Sequence, residues 1–239
     1  MEKIKWGIIG PGNIANNFAD GLKGSYSGQL VSIASKSEDR RKNFGDKYDI
    51  HPDFRFDSYE DIINSEHIDA IYISTPHTLH AQWTIKAAGK GKHILCEKPG
   101  AINFNEGKKI IDAVREAGVF YMEGFMYRCH PQIPKLVEII KNNIIGDVIS
   151  IETSFGFDMG KTIPDHRLFD KNLAGGGILD VGLYPISFSR LIAGVATGDK
   201  FSEPKFLDAE ATIGETGVDE IAHANLEFKN GIKAKVSTA

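Results

Sequence analysis

The sequence predicts an α/β fold: an N-terminal Rossmann-type, doubly wound parallel sheet followed by an α+β domain on a mostly antiparallel sheet. Three observations predict it. Through residue 122, short apolar runs alternate with stretches of helical length, the pattern of a parallel sheet covered on both faces. The first of these runs ends in a glycine-rich turn that opens a helix. Beyond residue 123 the rhythm changes to a long apolar helix and several strand-like runs, two of them flanking Lys229-Asn230-Gly231. The boundaries that follow are a dinucleotide-binding domain over 1–122 and a substrate and oligomerisation domain over 123–239.

Taken in order, Ile4 to Ile9 is an apolar strand and about Ile14 to Lys23 a helix. Leu30 to Ala34 is the second strand, followed by a charged helix from about Glu38 to Tyr48. Asp69 to Ser74, His93 to Cys96 and Val119 to Met122 read as strands, with helices at Leu79 to Ala88 and Glu106 to Ala117. The second half offers a helix at Lys135 to Lys141, a strand at Val148 to Phe155 and a long helix from about Ile178 to Ile192. Strand-like runs follow near Phe206 to Ile213, Ala222 to Phe228 and Ile232 to Val236. Asn-Gly between the last two supports the positive φ angles of a tight hairpin.

Composition narrows the class. With 41% hydrophobic and 25% charged residues and a formal net charge of -4, the chain reads as a soluble globular protein. That charge gives no electrostatic reason for nucleic acid or an anionic membrane as partner. Two cysteines, Cys96 and Cys129, are too few for a disulfide framework and fit a reducing compartment. The start, Met-Glu-Lys-Ile-Lys-Trp, shows no targeting segment, and no apolar run reaches the length of a bilayer span. The expectation is a cytoplasmic protein.

The first strand runs into Gly10-Pro11-Gly12-Asn13-Ile14-Ala15, a Gly-x-Gly-x-x-Ala turn. Gly10 permits the tight turn, Gly12 lets the backbone approach a pyrophosphate, and Ala15 allows close helix–strand packing. The helix N-terminus then offers N–H donors to phosphate. The second strand discriminates between cofactors. A carboxylate at its end would bind ribose hydroxyls and repel a 2′-phosphate, but this strand ends Ala34-Ser35-Lys36-Ser37, with Arg40 and Arg41 following. Hydroxyls and cations there favour NADP over NAD; the plainer reading of the same residues is a solvated basic helix start.

Cys96-Glu97-Lys98-Pro99 follows a strand on the carboxyl edge of the sheet, where such sheets place ligands. Pro99 stiffens the turn that presents Lys98. Far along the chain, Gly175-Gly176-Gly177 precedes Asp180 and Tyr184, which on a regular helix share one face. A tyrosine near a lysine ammonium is a workable acid and base, since the cation favours the phenolate. Taken alone, Tyr184 reads first as a buried aromatic with a satisfied hydroxyl. His77 and His80, at i and i+3, lack a third ligand at suitable spacing, so no metal is expected.

Together these pieces resemble the Gfo/Idh/MocA oxidoreductases. The resemblance rests on Gly-x-Gly-x-x-Ala, Thr75-Pro76-His77-x-x-His80, Glu97-Lys98-Pro99, Glu123-Gly124-Phe125-Met126-Tyr127-Arg128 and Gly-Gly-Gly-x-x-Asp-x-Gly-x-Tyr, in that order. Tyrosine at 184, with His166-Arg167-Leu168-Phe169-Asp170 upstream, is similar to the subgroup of dimeric dihydrodiol dehydrogenases, glucose–fructose oxidoreductase and NADP-dependent xylose dehydrogenases. The resemblance implies hydride transfer between NADP and a secondary alcohol of a sugar or cyclic diol. It implies Tyr184 as general acid and base, Lys98 as its partner and Asp180 in support. It also implies that Thr75, Pro76, His77, His80, Glu97 and Lys98 lie against the cofactor; Arg128 and Arg167 read either as cations facing substrate or cofactor or as members of simple ion pairs. A cis Lys98–Pro99 bond is expected.

The chain departs from the family pattern in places. The family commonly has asparagine where His77 stands, and some relatives carry an aromatic pocket wall where Met126 stands. Members also continue past the point matched by Ala239, so the expectation is a C-terminally truncated sheet, with a homodimer if that sheet is complete. The alternative reading is a non-catalytic dinucleotide-binding sensor or a decayed fragment.

Overall fold

Two compact units make up the computed structural model, which describes residues 2–239; one unit ends at Gly124 and the other begins at Phe125. The first contains β1 (Ile4–Ile9), α1 (Asn13–Lys23), β2 (Gly28–Ala34), α2 (Glu38–Lys47), β3 (Arg55–Phe56) and α3 (Tyr59–Asn64). It continues with β4 (Ala70–Ile73), α4 (His77–Ala88), β5 (His93–Cys96), α5 (Phe104–Ala117) and β6 (Tyr121–Glu123). The sheet order is β3-β2-β1-β4-β5-β6, and every pair is parallel. The chain winds outward from β1 to β3, then returns to add β4 on the other side. The direction of winding therefore reverses between β1 and β4, the switch point at whose carboxyl ends sheets of this kind bind their ligands.

The reason for this sheet is visible in its strands. Ile8, Ile9, Ile33, Ile71, Ile73 and Ile94 are all fully buried. Burying such a side chain contributes about 1.5–3 kcal/mol, so strands coated on both faces fix the centre of the unit. Two apolar clusters flank the sheet, one with Ile62, Trp83, Ala87 and Ile110, the other with Ala15, Ala19, Phe44 and Tyr72. Neither β3 nor α3 was expected. Two residues are too few to show a strand period. The signal for α3 is its cap: Ser58 accepts from the Asp61 N–H, with Glu60 and Asp61 in the first turn.

The second unit contains α6 (Gln132–Lys141), β7 (Ser150–Phe155), α7 (Leu183–Ala196), β8 (Lys205–Ile213), β9 (Asp219–Glu227) and β10 (Lys233–Thr238). Its sheet order is β7-β10-β9-β8, antiparallel at β8–β9 and β9–β10 but parallel at β7–β10. It is a mixed sheet. Asn230 and Gly231, with φ of 60° and 75°, turn β9 into β10. On one face, Leu191, Ile192 and Val195 of α7 and Ile140 of α6 pack with Ile151, Leu226, Ala234 and Val236. Residues 171–196 include a window of mean hydropathy 1.4, long and apolar enough to cross a membrane by composition, contrary to the sequence expectation. More than half of that window is buried inside the protein, as in a core helix.

One expected element is not regular. The helix from Ile178 begins as a π-helical turn, Ile178–Gly182, before α7. Gly176 (φ 109°) lies against Asp219, whose Oδ2 accepts from the Ile178 N–H at 2.6 Å, and the Leu183 N–H reaches back to the Ile178 carbonyl. The wider turn overturns the shared-face argument for Asp180 and Tyr184: a four-residue spacing no longer sets the angle between them.

Candidate active site

On the first unit, the carboxyl edge carries the dinucleotide turn. Gly10 has φ 91°, and a Cβ there would lie 2.9 Å from the Ser74 carbonyl oxygen, so only glycine fits. Ser74 Oγ donates to the Gly10 carbonyl at 2.7 Å, tying the end of β4 to that of β1. Gly12 is the N-cap of α1, and a Cβ there would meet nothing within 4 Å. Gly12, Asn13 and Ile14 are exposed beside half-buried Pro11, while Ala15 is fully buried against the sheet. This open helix start with a bare backbone fits a pyrophosphate.

At the end of β2, Ser35 is buried, and its carbonyl accepts from Arg41 Nη1 at 2.7 Å. Arg41 thus braces the strand end. Ser37 caps α2 by accepting from the Arg40 N–H. Lys36 and Arg40 are exposed. The Lys36 ammonium lies 5.9 Å from the ring centre of Tyr59, a residue that sequence reasoning missed together with α3. Burial raises the Tyr59 hydroxyl above its ordinary range, and Arg40 pulls the other way. No carboxylate occupies positions 35–37.

The Lys98 turn is the most constrained part of this edge. The Glu97 N–H donates to the Ile73 carbonyl at 2.9 Å, and Glu97 Oε1 accepts from the Tyr72 hydroxyl at 2.5 Å. The Lys98–Pro99 bond is cis, as expected. His80, 1% exposed, places Nδ1 2.7 Å from the Pro99 carbonyl and Nε2 2.7 Å from the Thr75 carbonyl. The Gly100 N–H donates to Glu123 Oε1 at 2.7 Å. Burial is the largest influence on the titrating groups here. It lowers His80 below the ordinary histidine range and raises Glu123, with Glu97 adding to the latter. It lifts Tyr72 and Tyr121 far above the phenol range and pushes the Cys96 thiol up to about 12.

Thr75, His80, Glu97 and Lys98 are therefore brought together. His80 spends both ring nitrogens on backbone carbonyls, which does not suit the direct cofactor contact expected of it. Pro76 is the exposed N-cap of α4 and His77 its buried first residue, with its ring 5.9 Å from that of His80. Among the described residues, no group of three His, Cys, Asp or Glu side chains could hold a metal. Tyr72 and Glu123 drew no role from sequence reasoning. The available signal was Glu123 ending a strand on the ligand-bearing edge.

On the second unit, Tyr184 sits among aromatic rings: Phe125, Tyr127 and Phe155 lie at centroid distances of 5.5, 6.1 and 5.4 Å. Its hydroxyl approaches Met126 Sδ at 3.5 Å. A hollow of about 420 Å³ opens here, lined by Met126, Tyr127, Thr153, Phe155, Tyr184 and Phe188. A separate hollow of about 540 Å³ is lined by Phe157, Phe169, Asp180 and Asp219 but not by Tyr184. Asp180 is buried and pairs with Arg167 at 3.2 Å. Arg128 donates to Ser187 Oγ at 3.3 Å and lies 4.7 Å from the Phe201 ring centre. Both arginines thus have protein partners. The aromatic wall from Tyr127 and Phe155 was not legible, because it is assembled by the start of the unit and β7.

Residues 4–125 match a family model described as the Gfo/Idh/MocA oxidoreductase family, NAD-binding Rossmann fold, and residues 133–239 match the Gfo/Idh/MocA C-terminal domain. The chain is 33% identical to trans-1,2-dihydrobenzene-1,2-diol dehydrogenase of Mus musculus, over 96% of this chain and 66% of that protein. It is 33% identical to a D-xylose 1-dehydrogenase (NADP(+)) of Haloferax volcanii, over 99% and 69%. A solved 3-ketoreductase from Actinomadura kijaniata, in complex with NADP and TDP-benzene, has TM-score 0.87 and 27% identity, over 100% of this chain and 70% of that one. An aldose–aldose oxidoreductase from Caulobacter crescentus has TM-score 0.88 and 26% identity, over 100% and 71%. The chain thus spans about two thirds of the length of these proteins. The matches do not establish the truncation expected above.

Proposed function

This chain belongs to the Gfo/Idh/MocA oxidoreductase family, and from that premise we propose that it is an NADP-dependent dehydrogenase acting on a secondary alcohol of a sugar or cyclic diol. The observation that carries the reading is one sheet edge bearing both the open Gly10–Gly12 helix start and the anchored Lys98 turn. The relatives named above as acting on diols and sugars, with NADP in two of the names, support the same direction.

Gly10, Gly12 and the first N–H groups of α1 would hold the pyrophosphate, and Lys36, Ser37 and Arg40 the 2′-phosphate. When bound, the nicotinamide supplies the acceptor for hydride. Tyr184 takes the proton of the substrate hydroxyl at its phenolic oxygen, returning it in the reverse direction. Lys98, the partner that the family resemblance implies for Tyr184, would orient the substrate hydroxyl, and a cation in that role would favour the phenolate. Phe155 and Tyr127 offer apolar faces to the C–H side of a ring, and displacing water there strengthens the polar contacts at the reacting carbon.

Turnover of NADP with D-xylose and with trans-1,2-cyclohexanediol tests the reading. Tyr184→Phe is expected to lower kcat by about 10²–10⁴-fold with NADPH affinity retained. Full turnover by that variant removes Tyr184 from the chemistry.

A further inference from the structure

The Pro99 carbonyl and the Gly100 N–H are the two ends of one planar peptide group, and they point in opposite directions. His80 meets the first at 2.7 Å and Glu123 meets the second at 2.7 Å. That peptide follows Lys98–Pro99 directly. On the other side of Lys98, Glu97 is held through its N–H by Ile73 and through its carboxylate by Tyr72. The lysine thus stands between two anchored points of main chain.

From this we infer that His80 and Glu123 are positioning residues for Lys98, gripping the Pro99–Gly100 peptide from opposite ends and tying it to the Thr75 turn. The inference deepens the proposed role of Lys98 and rests on it. Three features give the grip its force. The grip is buried: His80 is 1% exposed, and Pro99 and Gly100 are buried. Unmet polar groups there are costly, so the peptide stays with its partners. Next, His80 spans two loops. Its second nitrogen faces the Thr75 carbonyl, so the loop after β4 and the loop after β5 share one ring. A neutral imidazole donates to one of the two carbonyls, and an imidazolium to both. Finally, the grip leaves no room for alternatives. A Cβ at Gly100 would lie 2.4 Å from the Tyr121 hydroxyl, so the peptide is wedged against β6 as well as bonded to it.

The function of such an arrangement is geometric. A lysine on a flexible stem holds a reacting group only as well as its own main chain is held. Misplacement of a catalytic group by about 1 Å costs on the order of 10²-fold in rate. Glu123 and His80 touch neither substrate nor cofactor in this scheme; they act through Lys98.

The test is the rate at which Lys98 of the full chain is acetylated by acetic anhydride, followed by mass spectrometry against the other lysines. His80→Gln and Glu123→Ala are expected to change the Lys98 rate by about threefold or more, with Lys86 and Lys90 unchanged. Glu123→Gln keeps an oxygen for the Gly100 N–H and is expected to return the rate close to that of the parent. Unchanged Lys98 labelling in both His80→Gln and Glu123→Ala, with melting temperatures near the parent's, overturns the inference. If His80→Gln does not fold, the Ala and Gln variants at 123 decide alone, and equal labelling in those two overturns it. Lys98→Met assayed on D-xylose and on trans-1,2-cyclohexanediol with NADP separates the underlying reading. Retained turnover removes Lys98 from catalysis, while the labelling result still judges the grip. Where Lys98→Met lowers kcat, adding His80→Gln is expected to cost nothing more. A merely structural role would lower both backgrounds alike.

Discussion

Arg167 Nη1 lies 3.2 Å from Asp180 Oδ1, pairing a half-exposed guanidinium with a carboxylate whose side chain is 6% exposed. The acid sits in the π-helical turn ahead of α7, so the pair ties the loop before the triple glycine to the helix that carries Tyr184. Removing the arginine takes a partner from a buried charge, although solvent reaches the guanidinium and screens the interaction. Arg167→Met is expected to destabilise the chain by about 1–2 kcal/mol, read by urea denaturation. A loss under a few tenths of a kcal/mol would mean that the remaining contacts of Asp180 suffice.

The cations after β2 give a prediction for the cofactor. Lys36→Ala combined with Arg40→Ala is expected to raise the Kd for NADPH by about 10–100-fold, the scale of one or two lost charge-assisted hydrogen bonds. The Kd for NADH should move by less than about twofold. Titration by energy transfer from protein to nicotinamide reads both. Equal weakening of the two cofactors would place the 2′-phosphate elsewhere.

Gly10 is expected to tolerate no side chain. Gly10→Ala combines φ 91° with a Cβ 2.9 Å from a backbone oxygen, and that oxygen belongs to Ser74 at the end of a central strand. A loss of about 1–3 kcal/mol in stability is expected, together with weakened NADPH binding. Thermal denaturation with and without NADPH separates the two effects.

Glu123 has a folded-state pKa raised chiefly by burial. A raised carboxyl pKa favours folding while the group is protonated, and that contribution is lost as pH rises through the folded value. Parent stability is therefore expected to fall, relative to Glu123→Gln, between the ordinary glutamate range near about 4.3 and the raised value. Below that range the two proteins should converge. Denaturant midpoints across pH 4 to 8 measure the difference, and parallel curves would sink the assignment.

The two thiols should differ. Cys96 is buried, with its pKa pushed up to about 12, while Cys129 is exposed. Native protein is expected to release one thiol equivalent rapidly to Ellman's reagent and the second only on unfolding. Rapid reaction of both would mean that the end of β5 opens readily.

What the sequence determined by itself was local and periodic. The apolar run ending Gly7-Ile8-Ile9 announces a strand because that end is buried between the two layers of helices. The Gly10–Gly12 turn announces its ligand class because Gly10 supplies a positive φ and Gly12 a bare backbone, and Asn230-Gly231 announces a hairpin because asparagine and glycine tolerate positive φ. The absence of a carboxylate at 35–37 is likewise legible, since it depends on residue type at a fixed distance from the glycines. Tertiary structure alone decided how the rest is used. The grip of His80 on Pro99 spans 19 residues and that of Glu123 on Gly100 spans 23. No periodicity links those positions; they meet because β4, β5 and β6 are neighbours in one parallel sheet and end at the same edge. The π-helical turn was equally invisible, because it depends on Asp219, 41 residues beyond Ile178, receiving the Ile178 N–H. Backbone preferences are written within a few residues, whereas a side chain's partner is fixed only when the sheet brings distant strand ends together.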